Sequence, residues 1–220
     1  MTSQTWQDVR DSMGQVTFTL GPYFADQLLS KPRHLLFSLS RYKFAARLLP
    51  TDTPVEVLEL GCAEGIGTLL LAENGHEITG IDFDKNAITY AQQSIHSERI
   101  KFLADDFVGK HYGNFKAIVS LDVIEHIAPD QEQRFLDTVV GNLAPDGFCV
   151  IGTPNETASP YASTQSQIGH VNLYTAERLS QSLRRYFHNV FMFGMNDEVV
   201  HTGFYPMCHY LFALGCGKRA

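Results

Sequence analysis

Three groups of residues are spaced so that their side chains could do chemistry together. The first is the turn Glu59-Leu60-Gly61-Cys62-Ala63-Glu64-Gly65-Ile66-Gly67, directly after the apolar run 55–60. Glycines belong where backbone must approach a ligand closely or adopt positive φ. A dinucleotide-binding turn would read GxGxxG and seat a pyrophosphate on a helix N-terminus. This turn reads GxxxGxG, and a frame begun at Gly65 meets Leu70 where its third glycine should stand. The carboxylates of Glu59 and Glu64 are awkward for a pyrophosphate and suit a ligand carrying an ammonium or sulfonium. Asp82 ends the next apolar run, 21 residues after Gly61. From that place an acid holds ribose hydroxyls in nucleoside-binding α/β folds.

The second group is Asp105, Asp106 and Phe107, where an acid could accept from an adenine amino group and the ring could pack on the base. The third is Asp122, Glu125 and His126, an acid followed by Glu and His at i+3 and i+4 on one side of a strand-to-helix turn. Two carboxylates and an imidazole could ligate a divalent ion such as Mg²⁺, with His170 of GHVNLYT as a fourth ligand. The same residues could instead act directly as acid and base. Taken singly, each acid also reads as a helix cap or a solvated loop residue.

In combination, ELGCAEGIG, the GID ending at Asp82, ADDF at 104–107 and SLDVIEH at 120–126 are similar, in order, to successive motifs of class I S-adenosylmethionine-dependent methyltransferases. The resemblance covers about residues 55–155. It implies that Glu59, Gly61, Cys62, Ala63 and Gly65 surround the methionine part of S-adenosylmethionine. Asp82 and Phe83 would lie at the ribose, Asp105 to Phe107 at the adenine, and Leu121 and Asp122 under the transferring methyl. DxxEH, then TPN, then a later His before Tyr-Thr resembles the metal-using members, among them ubiquinone-pathway O-methyltransferases and small-RNA 2′-O-methyltransferases. The chain departs from those by Asp122 where they usually carry Glu, and by its loop 155–169.

The elements that must position these residues follow from pattern. Residues 1–50 read as helix, with Pro22 and Pro32 at tolerated first-turn positions and HLLFSLSRYKFAARLL at helical spacing. From 51 to 220 strands alternate with helices: strands at 55–60, 77–82, 100–105, 115–122 and 147–154, and helices over GTLLLAEN (closed by Gly75), KNAITYAQQSI (capped by Asp84) and PDQEQRFLDTVVGNL (opened by Pro129). Such alternation implies right-handed βαβ units and a parallel, doubly wound sheet. After the polar loop 155–174, a helix starts at Thr175. Two apolar runs, HNVFMFG and MCHYLFALG, have too little helix between them for a parallel crossover and read as antiparallel neighbours. The expected architecture is a single α/β domain with a Rossmann-like, mostly parallel seven-stranded sheet, an antiparallel last strand and an N-terminal helical cap.

Charge narrows the ligand. The 220 residues carry a net charge of −7, against a general nucleic-acid binder, whose affinity comes from Lys and Arg on phosphates. Hydrophobic residues at 44 % and charged residues at 19 % exclude a mainly disordered chain. Yet between Gln27 and Thr51 stand Lys31, Arg33, Arg41, Lys43 and Arg47 with no acid, a +5 block that leaves −12 elsewhere. This block lies in the cap, so Arg33, Arg41 or Lys43, with Tyr23 and Tyr42, is expected to contact an anionic acceptor or the cofactor carboxylate. Loops 155–174 and 195–206, the latter with Asn196, Asp197, Glu198 and His201, are expected to complete the acceptor pocket. The four cysteines form no CxxC pair, the first residues lack the apolar core of a signal peptide, and no apolar run spans a membrane, so a cytoplasmic location is expected.

The reading is therefore a cytoplasmic methyltransferase acting on a small, anionic acceptor, in surface-glycan or nucleotide-linked metabolism, with no nucleic acid or membrane partner. The sequence leaves the oligomeric state open. Rival classes are an RNA 2′-O-methyltransferase, a nicotinamide dehydrogenase, which lacks its glycine spacing, and a non-catalytic cofactor-binding relative.

Overall fold

The computed structural model describes residues 3–14 and 17–219. Three helices come first: α1 (Ser3–Ser12), α2 (Pro22–Ser30) and α3 (Pro32–Leu48), the last two each opened by a proline at the first helical position. The α/β part then runs β1 (Glu56–Leu60), α4 (Thr68–Leu71), β2 (Glu77–Asp82), α5 (Lys85–Ser94), β3 (Ile100–Ala104), β4 (Phe115–Leu121), α6 (Glu132–Gly141) and β5 (Leu143–Pro154). After it come α7 (Thr164–Gly169), α8 (Ala176–Arg184), β6 (Phe187–Asn196), β7 (Val199–His201) and β8 (Tyr210–Lys218).

The strands form one sheet in the order β3-β2-β1-β4-β5-β8-β6-β7. β1 to β5 pair in parallel, and β8 inserts antiparallel between β5 and β6. Among the described residues the sheet thus has eight strands where seven were expected. The added strand is β7, three residues of the 195–206 loop that fold back on β6 with Gly194 opposite His201. Its turn is Asp197-Glu198, with Asp197 at φ 52°, and lacks the glycine that normally signals such a hairpin. Two helices also differ from pattern. α4 is only four residues, because Asn74 and Gly75 take positive φ (59° and 85°) and end the helical run early. α6 starts at Glu132, with Pro129 in the preceding turn. Asp84 does cap α5, its carboxylate accepting from the Asn86 and Ala87 N–H groups.

Helices cover both sheet faces, so alternate strand residues are buried on opposite sides. Leu58, Leu60, Ile118 and Leu211 meet Phe135, Leu136 and Val139 of α6 and Leu179 and Leu183 of α8. Val57, Ile78, Val119 and Phe212 meet Ala45 of α3 and Ile88 and Ala91 of α5. The cap is therefore anchored as part of a layer, with the Phe44 ring 5.1 Å from Phe193 and 4.7 Å from Phe212. This places α3 directly over the carboxyl end of β4.

Candidate active site

In a parallel sheet of this kind the loops leaving the carboxyl ends of the strands build the ligand site. The loop after β1 turns at Gly61, whose φ of 86° and whose neighbour Val123, 2.2 Å from where a Cβ would stand, both require glycine. Gly61 and Cys62 donate backbone bonds to Ile81 O, and Ala63 N–H donates to Asp82 Oδ2 at 2.9 Å. Asp82 Oδ1 accepts from Asp84 N–H at 2.9 Å, so one carboxylate ties the first two loops together. Each of its oxygens keeps a lone pair for a ligand hydroxyl.

Glu59 shares the face of Val57 and is buried under the cap. Its Oε2 accepts from Thr68 Oγ at 2.6 Å, while Oε1 is buried without a partner. Burial pushes this carboxyl up to about 7, the Thr68 hydroxyl pulling the other way. A ligand ammonium beside Oε1 would favour the ionised form. Glu64, also expected at the cation, is committed elsewhere: it accepts from the Tyr23 and Phe24 N–H groups at 2.9 and 3.0 Å, closing the N-terminus of α2. Gly21 makes room for it, since a Cβ there would stand 2.2 Å from the Glu64 carboxyl carbon. Tyr42 lies on Gly67 in the same way, 2.3 Å from a Cβ position.

At the adenine end the expectation needs correcting. Phe107 is buried in the core, 6.3 Å from the Phe135 ring, and not on the open ligand side. Asp105 is held by Lys110 and by the Tyr112 hydroxyl (2.8 Å), and Asp106 accepts from Val108 N–H. Phe83, 76 % exposed beside Asp82, is the aromatic ring that stands free there.

At the end of β4, Leu121 is buried and Asp122 takes φ 58°, with its N–H on Gly152 O at 3.0 Å. Both Asp122 oxygens lie 2.7 Å from Arg41 Nη1. The Arg41 side chain is 14 % exposed, and its guanidinium carbon sits 4.1 Å above the Tyr210 ring. Arg41 Nε and the Tyr210 hydroxyl are buried without partners. Of the other cap residues, Arg33 and Lys43 are exposed, and Tyr23 joins through its backbone N–H. His201 is engaged in the β6–β7 hairpin, its Nε2 2.8 Å from Asn196 Oδ1.

Glu125, His126 and His170 come together, with ligand atoms all within 4.8 Å of one another. Asp122, expected with them, is held by Arg41 instead. Glu125 is fully buried; Thr153 Oγ donates to its Oε2 at 3.0 Å and its Oε1 has no partner. Burial, then the Asp122 charge, pushes its carboxyl up to about 8. His126 Nδ1 lies 2.9 Å from Gly169 O. A carbonyl only accepts, so Nδ1 carries the hydrogen and a neutral ring leaves the Nε2 lone pair available. His170 packs edge-on to it at 5.0 Å, and burial, then the neighbouring His126, lowers its pKa. Thr68, Thr153 and Tyr210 escaped the sequence reading because each sits inside a run that reads as ordinary helix or strand.

A family model described as a methyltransferase domain matches residues 33–187. The chain belongs to the methyltransferase domain family. The ubiquinone biosynthesis O-methyltransferase of Psychrobacter arcticus is 30 % identical over 113 residues, covering 48 % of this chain and 43 % of that protein. A probable S-adenosylmethionine-dependent methyltransferase of Mycobacterium tuberculosis is 27 % identical over 140 residues, 62 % of this chain and 50 % of its own length. The methyltransferase thus spans about half or less of these curated relatives. Its fold is shared with the N-methyltransferase NodS of Bradyrhizobium japonicum in complex with S-adenosylhomocysteine (TM-score 0.62, 24 % identity, 82 % of this chain and 87 % of that one). A TehB-like enzyme from Corynebacterium glutamicum also matches (TM-score 0.64, 20 % identity, 90 % and 100 % covered). The chain thus carries a methyltransferase domain with the Rossmann-like fold of those structures.

Proposed function

We propose that this methyltransferase transfers the methyl group to an oxygen of a small acceptor, with His126 as the proton acceptor. The observation that carries this is the Nδ1 bond of His126 to Gly169 O, which leaves the Nε2 lone pair free in the turn that follows β4. The acceptor hydroxyl gives its proton to Nε2 while its oxygen attacks the methyl carbon. S-adenosylmethionine bound at this edge would supply the methyl group and would leave as the neutral thioether, keeping the electron pair of the carbon–sulfur bond. Little covalent work falls to the protein, and alignment of the two partners supplies much of the rate.

Arg41 and Asp122, side by side, present the charge complement of an α-amino acid, so we assign them to the methionine end of the cofactor. An Arg41 reading an anionic acceptor is the second possibility, and one experiment separates them. Arg41→Met should weaken S-adenosylhomocysteine binding by about 10–100-fold, the worth of a charge-assisted bond, and leave 5′-methylthioadenosine, which lacks the carboxylate, unchanged. Unaltered S-adenosylhomocysteine binding with a raised acceptor KM would move Arg41 to the acceptor side.

The unpartnered Glu125 Oε1 favours a metal reading at the same place. One carboxylate and two imidazoles fit a divalent transition-metal ion through Glu125, His126 and His170. They suit Mg²⁺ poorly, since it prefers oxygen ligands. Such an ion would supply Lewis acidity to the acceptor oxygen. On the base reading, methyl transfer survives dialysis against a chelator; loss restored by Mn²⁺ would favour the metal. The ubiquinone-pathway likeness supports O-methylation and a small acceptor, with the surface-glycan or nucleotide-linked setting as the wider proposal. The continuous sheet supports a single domain with its cap at 1–50, and the free cysteines support a cytoplasmic location. No helix among the described residues is long and apolar enough to cross a membrane.

A further inference from the structure

The segment that delivers His170 has almost no regular structure of its own. Residues 170–175 lie between α7 and α8, with a single bridge from Tyr174 to Asn155. Yet Asn172 and Tyr174 are buried, at 2 % and 0 % exposure. A backbone without a helix or long strand around it must be held by side chains if it is to be fixed.

Arg178, in the first turn of α8, does the holding. Its guanidinium donates to three acceptors: Leu173 O, Asn172 Oδ1 (2.6 Å) and the carboxylate of Glu132, the first residue of α6. It also stacks 4.1 Å above the Tyr174 ring. Asn172 Nδ2 donates to the Tyr174 hydroxyl at 2.9 Å and to Glu132 Oε2 at 3.3 Å. Ser182 of α8 donates to the other Glu132 oxygen at 3.0 Å. The planar five-donor fork of arginine is what lets one side chain serve all these acceptors.

The held segment is tied to the site by its own backbone. Val171 and Asn172 N–H both donate to Glu125 O, at 2.9 and 3.0 Å. His170 is the residue before that pair, and Gly169, whose carbonyl takes the His126 Nδ1 hydrogen, is the one before it. We infer that Arg178, with Glu132 and Asn172, is a positioning clamp that sets His170 against Glu125 and fixes which nitrogen of His126 carries its hydrogen. None of the three touches the reacting atoms; they act through residues 169–172. The value of that tautomer for catalysis rests on His126 being the base.

Nitrogen-15 NMR of the imidazoles tests this in the full-length chain, with S-adenosylhomocysteine binding as the control. Arg178→Met and Glu132→Gln should keep cofactor binding and lose the Nδ1–H signature of His126. Arg178→Lys keeps the charge and loses the fork, so it should behave like Arg178→Met. Phe44→Ala, which destabilises the other sheet face, should leave the His126 signature intact. A wild-type His126 signature in every variant that binds cofactor would overturn the clamp, including the case in which only Glu132→Gln folds. Failure of the wild-type protein to bind S-adenosylhomocysteine would count against the methyl-transfer reading and not against the clamp.

Discussion

Glu125 shows how burial and chemistry meet in one side chain. Its carboxyl binds a proton more tightly in the folded chain, at about 8, than at its ordinary 4.5. The folded state therefore holds more protons than the unfolded one between these values, and this group's contribution to stability is lost as pH rises across that window. Glu125→Gln keeps an acceptor for Thr153 and removes the titration. Its Tm should fall less than that of the wild type between about pH 5 and 8; equal slopes would place the proton elsewhere. Gly61 acts by geometry alone. Gly61→Ala combines a φ of 86° with a Cβ 2.2 Å from Val123, so calorimetry should find both stability and S-adenosylhomocysteine affinity reduced.

Among the elements, α3 joins core and site. Its Phe44 is wedged against Phe193 and Phe212, and truncation of such a ring costs about 3 kcal/mol. Chemical denaturation of Phe44→Ala should show that loss with an unchanged m-value. α2 depends instead on Glu64, which satisfies two of its terminal N–H groups. Glu64→Ala should cost about 1 kcal/mol, as for loss of a helix cap, and speed hydrogen exchange at Tyr23 and Phe24 before any global change. The elements were legible in the sequence because apolar runs of strand length alternate with helical spacing. β7 and the shortened α4 were not, since each depends on one non-glycine residue, Asp197 or Asn74, turning through positive φ.

Over the whole molecule, the order of the acidic strand ends carried most of what the sequence says about the site. Asp82, Asp122, Glu125 and His126 all stand at the carboxyl edge of the sheet, because a parallel sheet brings every such strand end to one side. Long-range partners were hidden: nothing local ties Arg41 to Asp122, 81 residues apart, or Glu64 to Phe24, 40 apart. Phe107 read as a ligand ring because its neighbours are polar, and α6 buries it. Cofactor choice is a property of the assembled site. S-adenosylhomocysteine at 100 times its Kd should stabilise the protein by about 2.7 kcal/mol. For a chain of this size that is roughly 5–10 °C in Tm, and NAD should give no shift.

Gly21 bears on how this chain can vary. Its φ of −67° is open to any amino acid, so nothing in its own backbone calls for glycine. The demand comes from the Glu64 carboxyl group across the gap. In a library of variants the two positions should drift only as a pair. A side chain at 21 becomes acceptable once 64 is shortened, and the entrance to the loop after β1 is then remodelled in a single coordinated step.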